Sequence, residues 1–273
     1  MATLPETLRD TFTEAPAVRL SPGKLLEDRV AIVSGGSRGI GRAIVERLTE
    51  AGAQVVLNYL QADCAAEEVL DFVHSSGGQA IAVRGDITSV ETSQKLVQEA
   101  VKAFGKLDIV VANAGIWEGA PIEHLNEELW DRVLNSNLKG TWAICHAAVP
   151  ELKRGGRGAI TIISSTAGQR GEAGYSNYAA SKGGQISFAK SLASELAPQI
   201  RVNCVAPGWV DTELNRPEFE RSGRYEEIAH SIPLRRIATP DDIANPVVFL
   251  SSDWARHISG EVLNVNGGAV LCG

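Results

Sequence analysis

The 273-residue chain contains no apolar run approaching the roughly 20 residues that span a bilayer. Its first residues carry acids and prolines where a secretory leader would carry an apolar core. It also lacks an excess of positive charge. The formal net charge is −7, so the basic face that a nucleic-acid partner requires is missing. Cysteine is sparse: Cys64, Cys145, Cys204 and Cys272 are far apart and form no C-x-x-C pair. That usage predicts free, mostly buried thiols and a reducing, cytoplasmic setting. The five histidines make no H-x-x-x-H pair, so no metal site is expected. Linkers and shifts of composition are absent too, so residues 28–273 read as one domain. Residues 1–27 are interrupted by Pro5, Pro16 and Pro22 and fall outside the regular pattern. They form either a loosely held extension or an arm on a neighbouring subunit.

What is present is an alternation. Short apolar, β-branched runs at 29–34, 54–59, 80–84 and 107–112 are separated by helical patterns at 42–51, 63–76 and 90–104. Such βαβ succession predicts right-handed crossovers and a parallel sheet. Further strands are expected at 158–164, 200–205 and 261–265, with helices at 126–149, 177–197 and 241–250. The predicted fold is therefore α/β, a Rossmann-like, doubly wound parallel sheet of about seven strands with helices on both faces. Residues 211–232, charged and broken by proline, read as a small lid over a substrate.

The unusual residues cluster at the predicted carboxyl ends of the strands, where this plan binds ligands. The first strand runs into Gly35-Gly36-Ser37-Arg38-Gly39-Ile40-Gly41 and then a helix. Glycines there let backbone approach a pyrophosphate, and the helix start presents free N–H groups. The spacing is G-x-x-x-G-x-G, not the usual dinucleotide fingerprint. The third strand ends near Asp86-Ile87 and the fourth in Asn113-Ala114-Gly115. Tyr178 and Lys182 lie four apart on a predicted helix, one turn from each other. A cation so placed would lower the phenol's pKa and make Tyr178 an acid/base group near neutral pH. Asn137, polar on a partly apolar helix, is either structural or part of a relay.

Taken together, these motifs resemble the short-chain dehydrogenase/reductase family over about residues 29–268. The match includes the glycine turn, Asn113-Ala114-Gly115, a serine before the helix and Tyr178-x-x-x-Lys182. It continues through Pro207-Gly208-Trp209-Val210-Asp211-Thr212 to the carboxyl-terminal Asn-Gly-Gly. The general pattern is similar to the 3-oxoacyl-carrier-protein reductase and the sugar or polyol dehydrogenase branches. The resemblance implies a catalytic tetrad of Asn137, Ser165, Tyr178 and Lys182. Ser165 is selected over Ser164 because the family's serine precedes the tyrosine by thirteen positions. Asn137 would hold a water linking Lys182 to solvent, and Tyr175 would be a pocket wall. The cofactor would rest on Gly35, Ser37, Arg38, Gly39, Ile40, Gly41, Asn58, Tyr59, Asp86, Ile87, Asn113, Ala114, Gly115, Tyr178, Lys182, Pro207, Gly208, Val210 and Thr212.

The second strand ends Asn58-Tyr59-Leu60 without a carboxylate before Asp63, and Arg38 stands in the glycine turn. Both favour NADP(H), with NAD(H) as the alternative. The implied activity is hydride transfer between a small-molecule ketone and a secondary alcohol. A carrier-protein client would need basic residues at the pocket mouth, for which Arg154, Arg157, Arg235 and Arg236 are candidates. Trp117 and Trp209 either line an apolar pocket or pack elsewhere. The family also implies a homo-oligomer, a dimer or tetramer. Val247, Val248, Phe249, Leu263, Val270 and Leu271 suit an interface or a core equally. Two other classes fit parts of the sequence. Gly35-to-Gly39 fits the G-x-S-x-G of a serine hydrolase, though it sits on the first strand with no oxyanion loop before it. A non-catalytic dinucleotide sensor would leave Tyr178 without a use.

Overall fold

The computed structural model describes residues 25–272; most of the predicted amino-terminal extension lies outside the described residues. Seven parallel strands form one sheet in the order β3-β2-β1-β4-β5-β6-β7. They are β1 (Val30–Val33), β2 (Gln54–Tyr59), β3 (Gln79–Arg84), β4 (Ile109–Ala112), β5 (Gly158–Ile163), β6 (Ile200–Pro207) and β7 (Val262–Val265). Side chains alternate across the sheet. Ala31 and Val33 of β1 face a layer of three helices: α1 (Gly39–Glu50), α2 (Asp63–Ser75) and α10 (Pro240–Ser251). Val30 and Ile32 face the opposite layer of α3 (Val90–Phe104), α5 (Gly140–Arg154) and α7 (Ser176–Glu195). Both faces are covered, which is why the strands read as unbroken apolar runs. Each fully covered Val, Leu or Ile contributes roughly 1.5–3 kcal/mol.

The chain winds outward from β1 to β3, then returns to β4 and winds the other way. The order therefore reverses between β1 and β4, and a crevice opens at their carboxyl ends. The Gly35 turn follows one of these strands and Asn113 the other.

Several expectations need correction. α1 begins at Gly39, inside the glycine turn, rather than at 42. The helix expected over 126–149 is α4 (Glu127–Leu134), a π-helical segment (Asn135–Lys139) and α5. A five-residue helix, α6 (Thr166–Arg170), stands where none was expected. Residues 211–232 contain α8 (Arg216–Phe219) and α9 (Arg224–Ser231), and Ile228, Ile232 and Ile237 make a small core of their own. Two of the four thiols, Cys64 and Cys272, are exposed rather than buried. Val247 and Val248 belong to the core, whereas Leu271 is 89% exposed. No helix among the described residues is long and apolar enough to cross a membrane.

Candidate active site

The crevice wall after β1 is a turn that only glycine can make. Gly35 and Gly39 have φ of +65° and +51°. A Cβ on Gly35 would lie 3.0 Å from Ala114 Cα. One on Gly41 would lie 2.6 Å from Asn113 Nδ2 and overlap the Gly35 carbonyl. The Asn113 amide donates to the carbonyls of Ser34 and Gly35 at 3.0 and 3.1 Å. Ser34 Oγ in turn accepts from the backbone N–H groups of Asn113 and Ala114. These bonds join the ends of β1 and β4 into one floor. Helix α1 starts there with no side-chain cap, which leaves its first N–H groups for a ligand. Thr212 stands over the turn, with Cγ2 3.3 Å from where a Gly39 Cβ would be. This cradle, bare of side chains and open to backbone donors, fits a dinucleotide pyrophosphate.

Around it, the predicted residues divide. Ile40 packs against the core and Ser37 is buried in the turn. Among the described residues, Ser37 has no hydrogen bond to a histidine or carboxylate, so the hydrolase reading finds no base. Asn58 is 2% exposed and its amide donates to Gly85 O at 2.9 Å, tying β2 to the end of β3. Its side chain is structural. The Tyr59 hydroxyl donates to Asp63 Oδ1 at 2.9 Å, and Arg84 pairs with Asp63 Oδ2 at 3.4 Å. Asp63 was read only as the first carboxylate after β2, and its pairing with Arg84 at this end of the crevice was missed. Their signal was topological, because β3 runs in register beside β2 and pairs Tyr59 with Arg84. Arg38 is exposed and its side chain has no partner among the described residues. Asp86 accepts the Thr88 N–H at 2.9 Å, and Ile87 packs beneath α5 near Gly140. Pro207 ends β6 and Gly208 donates to Val265 O of β7 at 3.1 Å. The Val210 carbonyl is taken by Asn215 Nδ2 at 2.8 Å, leaving its N–H for a ligand.

The second cluster lies where β5 ends and α7 begins. The Ser164 hydroxyl donates to Lys182 O at 2.8 Å and so joins strand to helix. Ser165 caps α6, its hydroxyl accepting the Ala167 N–H at 3.1 Å, and it is near enough to the Tyr178 phenol to influence its titration. α6 and α7 touch closely enough that a Gly168 Cβ would lie 2.5 Å from the Lys182 carbonyl carbon. Lys182 is 5% exposed; its Nζ donates to Ile163 O at 2.8 Å and lies 5.7 Å from the Tyr178 ring centre. The expected lowering of the Tyr178 pKa does not occur. Burial pushes the phenol up to about 12, against the opposing pull of the Ser165 hydroxyl, and the charge of Glu172 pushes it further. Burial also brings the Lys182 ammonium down to about 8. Desolvation wins because Lys182 is buried against β5 and Tyr178 is partly covered beside it, so the charged form of either is costly.

Asn137 sits in the π-helical segment, fully buried. Its Oδ1 accepts from the Ile116 N–H at 2.8 Å, and its Nδ2 donates to Ile116 O and to Ser181 Oγ, both at 3.0 Å. The side chain thus clamps the loop after Gly115 onto α7. A point 2.9 Å from Asn137 Oδ1 and 3.6 Å from Lys182 Nζ lies where a Gly115 Cβ would be. A glycine at 115 keeps that space open between the two groups.

Trp117 and Trp209 both come to the substrate side. Trp117 stacks on Tyr175 at 4.5 Å between ring centres, with planes 12° apart, and meets Trp209 edge-on at 5.6 Å. Trp209 continues to Phe219 of α8, and Phe219 to Tyr225 of α9. The four arginines fare differently. Arg154 and Arg157 precede β5 and so lie at the amino edge of the sheet, away from the crevice; they pair with Glu151 and Asp253. Arg236 is held by Asp242 at 2.8 Å and Arg235 by the His230 carbonyl.

A family profile described as enoyl-(acyl carrier protein) reductase matches residues 35–270. The 3-oxoacyl-(acyl-carrier-protein) reductase FabG of Staphylococcus aureus is 38% identical over 88% of this chain and 98% of its own length. The L-rhamnose 1-dehydrogenase (NAD(P)(+)) of Azotobacter vinelandii is also 38% identical, over 89% of this chain and 97% of its own. A solved structure of a putative short-chain alcohol dehydrogenase from Sinorhizobium meliloti superposes with a TM-score of 0.86. It is 34% identical and covers 91% of this chain and 98% of that one. A profile spanning most of the chain, full-length relatives and the crevice geometry converge: the chain belongs to the short-chain dehydrogenase/reductase family, NAD(P)-dependent enzymes acting on CH–OH groups.

Proposed function

We propose that the protein interconverts a ketone and a secondary alcohol with NADP(H), using Tyr178 as the proton donor and acceptor. In reduction, the carbonyl carbon gains a hydride and the oxygen gains a proton. The bound dinucleotide supplies or takes the hydride. Tyr178 gives its proton to the carbonyl oxygen while Ser165 donates a hydrogen bond to the same oxygen, where negative charge develops. A phenol held up at about 12 keeps its proton at neutral pH, which suits the reducing direction. Lys182 carries charge below about pH 8 and would hold the ribose hydroxyls beside Tyr178. The open space at Gly115 is where a water would connect Lys182 with Asn137 Oδ1. The observation that carries this reading is the buried Lys182, held by Ile163 O and 5.7 Å from the Tyr178 ring centre, at the same sheet edge as the glycine cradle and beside Ser165 at the end of β5.

NADP(H) is favoured at the adenosine end. Arg38 is unengaged, and Asp63, the nearest acid, is already held by Tyr59 and Arg84. A 2′-phosphate would meet two guanidiniums rather than a free carboxylate. Residues 211–232 would act as the lid. The test is absorbance at 340 nm with NADPH and NADH in parallel over a panel of ketones. Tyr178→Phe should lose at least about 1000-fold in turnover while dinucleotide affinity, read by NADPH fluorescence, stays within a few-fold. Full turnover in that variant would end the proposal.

A further inference from the structure

Proton supply to Tyr178 through Asn137 requires that asparagine in one place, and a buried residue of α7 grips it there. Gln185 is fully buried, one turn beyond Ser181 on α7. Its Nε2 donates to Asn137 O at 2.9 Å and to Thr141 Oγ1 at 2.7 Å. The Thr141 hydroxyl itself donates to Asn137 O at 2.8 Å. The orientation of the Gln185 amide follows from these partners, because a carbonyl only accepts and must meet the NH2 side. α7 therefore holds residue 137 at two points. Gln185 takes its backbone carbonyl. Ser181 takes its side chain, with Oγ accepting from Asn137 Nδ2 at 3.0 Å and donating to Tyr178 O at 2.7 Å.

Three features separate this grip from ordinary packing. It falls on the π-helical turn Asn135–Lys139, and a helix departs from regular spacing where a side chain enters its hydrogen-bond ladder. The turn also has no slack against α7, since a Cβ on Gly184 would lie 2.9 Å from Leu138 Cδ2. Finally, Gln185 Oε1 is buried with no hydrogen-bond partner among the described residues. Such an acceptor costs stability, and a methionine of similar length would fill the space without that cost. Thr141 would still serve the Asn137 carbonyl. What methionine would not supply is a donor on α7 that fixes the turn relative to Tyr178 and Lys182. The other end of the same asparagine reaches the Ile116 N–H at 2.8 Å and the open point at Gly115, 3.6 Å from Lys182 Nζ.

We propose that Gln185 is a positioning residue for the reaction. By holding the Asn137 carbonyl it keeps Asn137 Oδ1 aimed at Ile116 and at the gap beside Lys182, and so sets the rate of proton delivery without touching substrate or dinucleotide. The rate effect rests on Tyr178 being the proton donor; the effect on Ile116 does not.

The test compares wild type, Gln185→Met and Tyr178→Phe as full chains. Gln185→Met should melt at or above the wild-type temperature and bind one NADPH per chain with affinity within about threefold. Its amide exchange at Ile116 should quicken on the order of tenfold or more, because the bond to Asn137 Oδ1 loosens. Its kcat for ketone reduction should fall about 10- to 100-fold with little change in KM. Proton delivery then limits the rate. The solvent isotope effect on kcat should rise, and the effect of NADPH deuterated at the transferred position should shrink toward one. A merely structural glutamine would move neither. Gln185→Asn keeps the amide on a shorter arm and should show the same changes in smaller degree, which provides a second reading should the methionine variant not fold. Faster Ile116 exchange and lower kcat in Gln185→Met, with full turnover in Tyr178→Phe, keep the positioning role and sink the Tyr178 reading. Unchanged Ile116 exchange, unaltered isotope effects, or a kcat loss matched by a loss of NADPH sites would overturn it.

Discussion

The two sides of the crevice are built on opposite plans. The β1–α1 side is a backbone object: glycines without room for a Cβ, a helix start, and two side chains, Ser34 and Asn113, spent on joining strand ends. The β5–β6 side is a side-chain object. Tyr178, Lys182 and a chain of five aromatic rings come from segments more than a hundred residues apart. The backbone of the first side can recognise only what all dinucleotides share, and any choice between them falls to Arg38 and its neighbours at the rim. The other can change its ligand through single substitutions.

The comparison breaks most decisively at Gly41. Gly41→Val forces a branched side chain onto the Gly35 carbonyl and Asn113. Dinucleotide affinity should fall at least about 100-fold, with a loss of roughly 3 kcal/mol in stability. Fluorescence titration and thermal melting measure the two. An affinity within threefold of wild type would mean that the turn is more pliable than its packing shows.

Lys182→Met probes the other side, where the cost sits in desolvation. The folded-state pKa of about 8 lies below the reference of 10.5, so at pH 7 the fold carries a buried ammonium at a penalty of order 3 kcal/mol. The penalty is relieved as pH rises from about 8 to 10.5. The variant should therefore melt higher than wild type at pH 7, less the cost of leaving Ile163 O unbonded, and the difference should narrow by pH 10. A gap independent of pH would show that the lysine is not the source.

The smallest effect is expected at Phe219, in the small separate core around Ile228. Phe219→Ala should change overall stability by less than about 1 kcal/mol and raise substrate KM roughly three- to tenfold, leaving dinucleotide affinity alone. Kinetics with a saturating dinucleotide would sharpen the contrast between the two sides.

This division also explains what could be read from sequence. β2 and α3 were found to the residue, because β-branched runs and helical periodicity are local signals. The glycine turn was legible for the same reason. The Tyr178–Lys182 spacing correctly placed the pair on one helix but misjudged its electrostatics, since the burial imposed by β5 and α6 outweighs a one-turn separation. The Asp63–Arg84 bridge, the Trp117–Tyr175 stack and the misplaced Arg154 and Arg157 all depend on which strand lies beside which, and at which edge. α6 is too short to show a period, and its cap, Ser165, had already been assigned another task.

The widened turn at Asn135–Lys139 has an effect beyond holding Asn137. An α-helix rotates 100° per residue, so one surplus residue in a wider turn offsets everything downstream by about that angle. α4 and α5 are consequently out of phase along one nearly continuous rod. The row Ile144, Cys145, Ala148 and Leu152 meets the sheet only with that offset in place. Deleting a single residue from 135–139 would restore an ideal spiral and swing this row toward solvent. A local irregularity at the crevice thus sets the azimuth of fifteen residues beyond it.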